Sequence, residues 1–177
     1  MIKLTNLIKE ERAYDYGCVM LYTKFPSEII KLQDTIDPND LHATGIETEP
    51  HCTLLYGLHE NVTLDQVKSV IRKYSFGDLR AFNPSLFENP EFDVLKYDIG
   101  YPSSDDSTLH NCNRELTKLP NTQTYPDYHP HMTIAYLKPG LGKKYVDFFS
   151  KKGMKEFITK PTHVVYSQTD GTKTKIM

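Results

Sequence analysis

Glu49-Pro50-His51-Cys52-Thr53-Leu54-Leu55-Tyr56-Gly57-Leu58 and His129-Pro130-His131-Met132-Thr133-Ile134-Ala135-Tyr136-Leu137-Lys138 are two versions of one phrase, Pro-His-x-Thr-apolar-x-Tyr. Their histidines stand 80 positions apart (131 − 51). Each phrase reads as a strand. Residues two apart on a strand point the same way. His51 and Thr53 therefore share a face, with Cys52, Leu54 and Tyr56 on the other. Likewise His131 and Thr133 oppose Met132, Ile134 and Tyr136. One His-x-Thr is a common tripeptide, ordinarily satisfied by a backbone group or solvent. Two copies in one longer frame, each opening a strand, point to shared chemistry.

The flanking sequence alternates strands and helices around these two. Residues 17–23 form an apolar run suited to a buried strand. Pro26 and Ser27 open a helix to about Asp34, with Ile29, Ile30 and Leu32 facing the core. Asp37-Pro38-Asn39-Asp40 ends it, and a loop to Pro50 carries Glu47 and Glu49. Thr63 caps a helix with Val67, Val70, Ile71 and Tyr74 as its stripe. Residues 79–87 and 92–99 form a hairpin; Phe92, Val94, Lys96 and Asp98 share one of its faces. Ser103-Ser104-Asp105-Asp106 caps a helix to about Leu119, striped by Leu109, Cys112 and Leu116. A loop leads to the second phrase. Pro139-Gly140-Leu141-Gly142 then turns into a helix bearing Val146, Phe148 and Phe149. Residues 162–167 are a last buried strand, and the polar tail from Gln168 has room for one more. Lys9-Glu10-Glu11-Arg12 suits a short helix or an extended arm equally. This order reads as a duplicated α/β lobe, with residues 1–177 as one bilobal domain.

A chain of 177 residues buries roughly 70% of its unfolded surface and folds without staples. The net charge of −2 supplies no positive field for a polymer, so no long nucleic acid is expected as partner. Three scattered cysteines, Cys18, Cys52 and Cys112, read as reduced thiols of a cytoplasmic protein. No apolar run approaches the ~18 residues of a membrane span, and no signal-peptide core opens the chain; no membrane partner is expected.

Two imidazoles and two hydroxyls on one cleft suit a phosphodiester. Near neutral pH one imidazole can act as base while the other acts as acid. The catalytic set is thus His51, Thr53, His131 and Thr133. Zinc is the competing chemistry, but it wants three or four ligands. Cys52 is turned away from His51, and Pro130 breaks the alternation that would align His129 with His131. The expectation is no metal and no cofactor, with Cys52 neither nucleophile nor ligand.

His51-Cys52-Thr53 paired with His131-Met132-Thr133 resembles the signature of the 2H phosphoesterase superfamily. The resemblance covers most of the chain in element order. It implies an α/β (α+β) bilobal fold, two pseudo-symmetric lobes each with an antiparallel-rich sheet and flanking helices around a central cleft. It also implies chemistry at a ribose 2′ or 3′ phosphate. Within the superfamily, the Tyr56-Gly57-Leu58 and Tyr136-Leu137-Lys138-Pro139-Gly140 contexts look most like the viral anti-CBASS nucleases. Their likeness implies a small cyclic oligonucleotide as substrate and the host cytoplasm as setting. Among the twelve tyrosines, Tyr14, Tyr16, Tyr125 and Tyr128 are candidates for stacking on bases. Glu49 and Lys138 are further candidate substrate contacts. Tyr56 and Tyr136 are expected to face away from the histidines, in packing roles. An RNA-processing 2′,3′-cyclic or 2′,5′-phosphodiesterase and a non-catalytic protein that sequesters cyclic nucleotides are the rival readings.

Overall fold

A computed structural model describes residues 14–103, 105–123, 125, 127–152 and 154–177. The charged stretch at Lys9–Arg12, and Ser104 and Pro126, lie outside them. In chain order the elements are β1 (Gly17–Tyr22), α1 (Ser27–Gln33), β2 (Leu41–Ile46), β3 (His51–Leu58), α2 (Leu64–Ile71), β4 (Leu79–Glu88) and β5 (Asp93–Gly100). There follow α3 (Thr108–Leu116), β6 (His131–Leu137), α4 (Gly142–Lys151), β7 (Glu156–Thr159), β8 (His163–Ser167) and β9 (Lys173–Lys175).

The strands run in the order β7-β4-β5-β6-β3-β1-β8-β9, with β2 pairing β6 outside that path. Every pairing is antiparallel. The two phrases are β3 and β6, the central neighbours. They touch in register at one pair, Cys52 with Met132. Outward from that pair lie two half-sheets, β3-β1-β8-β9 and β6-β5-β4-β7. Beyond the contact the strands part, and each edge is covered by the segment preceding the other phrase. β2 pairs β6 at Ala135 and Leu137. Asn121 bridges Leu58, while Thr122 N–H donates to the Gly57 carbonyl at 2.9 Å. The halves are thereby interlocked.

One face of this sheet carries the core. Val19, Leu21, Cys52, Leu54, Leu95, Tyr97, Met132 and Ile134 are buried there with the stripes of all four helices. Those stripes are Ile29 and Leu32; Val67, Val70 and Ile71; Leu109, Cys112 and Leu116; Tyr145 and Phe149. Burying such a side chain contributes about 1.5–3 kcal/mol. Thr63 closes a capping box with Gln66 at the start of α2. The buried Asp93 carboxylate accepts from Gly142 N–H at 2.8 Å and anchors the start of α4.

Each phrase departs from plain alternation at the same place. Thr53 pairs Met20 and Leu55 pairs Val19, so Leu54 is an extra residue. Thr133 pairs Lys96 and Ala135 pairs Leu95, so Ile134 is extra too. These are β-bulges. Both bulged carbonyls are taken by helix side-chain amides: Asn113 Nδ2 donates to Leu54 O at 2.7 Å, and Gln33 Nε2 to Ile134 O at 2.9 Å. The extra residue restores parity, so Tyr56 pairs Cys18 and Tyr136 pairs Val94. Both tyrosines therefore share the face of the histidines. The packing roles expected for them are overturned; Tyr56 is 43% exposed.

Three further expectations are corrected. Residues 41–46 form β2 instead of a loop, because the β6 edge needs a partner where β3 diverges. The α3 cap lies later than expected: the helix starts at Thr108, whose N–H donates to Asp106 Oδ1 at 2.9 Å, and it ends at Leu116. In α4 the buried pair is Tyr145 and Phe149, with Val146 and Phe148 only partly covered.

Gly57 follows Tyr56 with φ +117°, and a Cβ there would run into the Thr122 carbonyl. Gly57→Ala should cost about 2–3 kcal/mol of stability, through strain at positive φ and overpacking. Urea unfolding with an unshifted midpoint would contradict it.

Candidate active site

The antiparallel pairing of Cys52 with Met132 puts His51 and Thr133 to one side of the contact and Thr53 and His131 to the other. Two His-Thr pairs thus cross on one open face. Each imidazole is held the same way. His51 Nδ1 donates to the Glu49 carbonyl at 2.8 Å, and His131 Nδ1 donates to the His129 carbonyl at 2.9 Å. A carbonyl can only accept, so Nδ1 carries the hydrogen in both rings. That leaves each Nε2 as the working nitrogen, an acceptor when the ring is neutral and a donor when it is charged.

The surroundings of the two rings differ. Beside His51, across β1 and β8, lie Tyr22 and then His163. The Tyr22 ring is 5.4 Å from His51 and stacks on His163 at 4.8 Å. Beside His131, across β5 and β4, lie Asp98 and Phe82; beside Thr133 lie Lys96 and Ser85. The Lys96 ammonium is buried, donating to Asp98 Oδ1 at 2.5 Å and to Ser85 Oγ at 2.9 Å. It also sits 4.5 Å over the Phe87 ring, whose centroid is 4.8 Å from that of His131. Burial pushes the His131 pKa down, and Lys96 and His51 push the same way. The His129 carbonyl and Asp98 oppose them. Thr133 is 8% exposed, and the Tyr136 phenol lies within its reach.

Cys52 is wholly buried on the opposite face, where desolvation pushes its thiol up to about 12. A thiol so placed supplies little thiolate near neutrality. Among the described residues no three His, Cys, Asp or Glu side chains come together to hold a metal ion.

The candidate substrate contacts are dispersed. Tyr128 is partly buried; its hydroxyl donates to the Thr53 carbonyl at 3.1 Å, and its ring packs on the core. This placement suits support of β3 more than base stacking. Tyr14 and Tyr16 lie at the far end of β3, with Tyr16 against Tyr56 at 5.8 Å and His59 at 6.2 Å. Glu49 lends the His51 anchor its carbonyl. Lys138 donates to the Asn39 carbonyl at 2.6 Å, away from the histidines. Tyr125 is 77% exposed. The groups that strand counting missed are Lys96, Asp98, Tyr22 and His163. Lys96 and Asp98 were on one face of a recognised hairpin, but nothing local tied that hairpin to the second phrase.

No protein-family model matches the sequence, and no curated protein matches it. Solved structures do match in fold. Usb1 of Kluyveromyces marxianus superposes with TM-score 0.59 at 9% identity, over 92% of this chain and 98% of that one. The same protein with uridine monophosphate gives TM-score 0.61 at 9% identity and the same coverage. The chain thus shares with Usb1 a mixed α+β fold, here a large antiparallel sheet with four helices among the described residues.

The depressed His131 pKa has a definite sign. An unfolded His131 takes up its proton near 6.5, the folded one at lower pH. Between those values the unfolded state binds more protons, so stability falls as pH drops through this window. The loss is complete below the folded value. In an NMR titration the His131 ring should show a midpoint below 6.5, and Lys96→Met should move it up. A midpoint at or above 6.5 in the parent, or a downward move in the variant, would contradict the assignment.

Proposed function

We propose that the chain is a metal-independent phosphodiesterase that cleaves 3′–5′ linkages of cyclic di- and trinucleotides by ribose 2′-OH attack. The observation that carries this reading is the matched anchoring of His51 and His131. Each ring spends Nδ1 on the carbonyl two residues earlier, which leaves Nε2 for a proton transfer. A sequestering protein needs no such pair.

In this reading neutral His131 takes the proton of the 2′-OH, consistent with the burial and neighbouring Lys96 that disfavour its charged form. The 2′ oxygen attacks phosphorus. Charged His51 gives its proton to the departing 5′ oxygen, and a 2′,3′-cyclic phosphate results. Thr53 and Thr133 donate to the non-bridging oxygens as charge builds on them. With the two roles exchanged, water then opens the cyclic phosphate. Cyclic dinucleotide immune signals are the substrates that the likeness of the phrases to anti-CBASS nucleases favours. The fold shared with Usb1, solved with uridine monophosphate, favours a second reading, an RNA-processing 2′,3′-cyclic or 2′,5′-phosphodiesterase.

His51→Ala and His131→Ala should each lower turnover about 10²- to 10⁴-fold, with the urea midpoint little changed. Excess EDTA should leave the parent rate unaltered. The substrate panel is 3′,3′-cyclic GMP-AMP, cyclic tri-adenylate, 2′,5′-oligoadenylate and 2′,3′-cyclic mononucleotides, with products separated by chromatography. Cutting of the first two supports the cyclic-signal reading. Cutting of only the last two moves the function to RNA processing, and tight binding without turnover moves it to sequestration.

A further inference from the structure

The half-sheet beside His131 contains a feature with no counterpart beside His51. On β4, Phe82 pairs Asp98, Ser85 pairs Lys96 and Phe87 pairs Val94. Asn83 is the extra residue, at φ 54°, a conformation Asn tolerates better than most side chains. This bulge in β4 brings Phe82, Ser85 and Phe87 onto the face of Lys96, Asp98 and His131. Together with His129, residues Phe82, Phe87, Lys96 and Asp98 line a cavity of about 420 Å³. That volume lies in the ~300–1,000 Å³ range of small-ligand sites.

The walls and floor of the cavity differ in chemistry. The walls are aromatic rings, which accept the flat face of a base. The floor is a charged pair with capacity left over. An ammonium has three donors. Lys96 spends one on Asp98 Oδ1 and one on Ser85 Oγ, leaving one. A carboxylate has about four lone-pair sites. Asp98 accepts from Lys96 and, through Oδ2, from Asn83 Nδ2 at 2.6 Å, leaving roughly two. The free edge therefore offers one cationic donor beside an anionic double acceptor.

We propose that this cavity is a nucleobase subsite that selects guanine, a proposal that rests on the phosphodiesterase reading for its place beside His131. Guanine presents one acceptor, O6, followed by two donors, N1–H and N2–H. Lys96 meets the first and Asp98 the other two. Adenine presents an acceptor and one amino donor in that edge and leaves one carboxylate site unmatched. Uracil matches O4 and N3–H but turns its O2 acceptor toward the carboxylate, which repels it. Asp98 is the cross-strand neighbour of His131, so a base held here brings its own ribose to that imidazole.

The test is equilibrium binding of guanosine, adenosine and uridine 3′-monophosphates by calorimetry at one salt concentration, which requires no cleavage. Guanosine 3′-monophosphate should bind about tenfold to a hundredfold more tightly than the others. Asp98→Asn should bring the three within about threefold. Phe87→Leu, at a partly exposed wall position, should weaken all three alike and keep their order. Equal binding of the three by the parent chain overturns the proposal, as does failure of all three to bind or a guanine preference that survives Asp98→Asn. A guanine order without turnover of any phosphodiester would retain the subsite and sink the phosphodiesterase reading. Turnover without that order would do the reverse.

Discussion

The approach of β3 to β6 at Cys52 and Met132 is the contact on which the arrangement turns. Two antiparallel strands that meet at one pair are related by a local twofold axis through it. Whatever follows that pair on one strand faces what precedes it on the other. His51 therefore lies on the same side of the pivot as Thr133, and His131 on the same side as Thr53, without any loop having to place them. Both residues of the pivot are 0% exposed. The middle position of each His-x-Thr is thus committed to the core, on the face opposite the histidines. The matched bulges at Leu54 and Ile134 extend the same symmetry to Tyr56 and Tyr136. Asn113 and Gln33 hold those bulges by donating to the Leu54 and Ile134 carbonyls, the second of which also accepts from Glu47 N–H.

Symmetry of the backbone is overlaid by asymmetry of charge. The His51 side presents rings, Tyr22 and His163, to the face. The His131 side presents a buried ammonium paired with a carboxylate. A buried ion pair is expensive to desolvate and contributes little to stability on average. Its retention beside an imidazole makes better sense as tuning of that imidazole and as recognition of a polar ligand.

Much of this was legible in the chain itself. Hydrophobic periodicity located α1 to α4 and six of the strands, because each buries an apolar stripe or run. The repeated phrase identified β3 and β6 as strands brought face to face. What escaped was governed by partners distant in sequence. β2 and β7 are edge strands with mostly exposed or half-buried residues, so neither carries a clear apolar signature. Period-two counting put Tyr56 and Tyr136 on the wrong face because it took each phrase as an unbroken strand. The adjacent apolar pairs Leu54-Leu55 and Ile134-Ala135 were the available sign of a slip, since alternation cannot bury both members. Lys96 and Asp98 gained meaning only through the β5–β6 register.

Attack by a ribose hydroxyl, driven by two anchored imidazoles, is tested most directly with two 3′–5′-linked guanosine dinucleotides that differ only in the 2′-OH next to the phosphate, with products followed by ³¹P NMR. The ribose compound should yield a 2′,3′-cyclic phosphate, and the 2′-deoxy compound should not be cleaved. Cleavage of both at similar rates would contradict attack by the hydroxyl, because the nucleophile would then be water or a side chain.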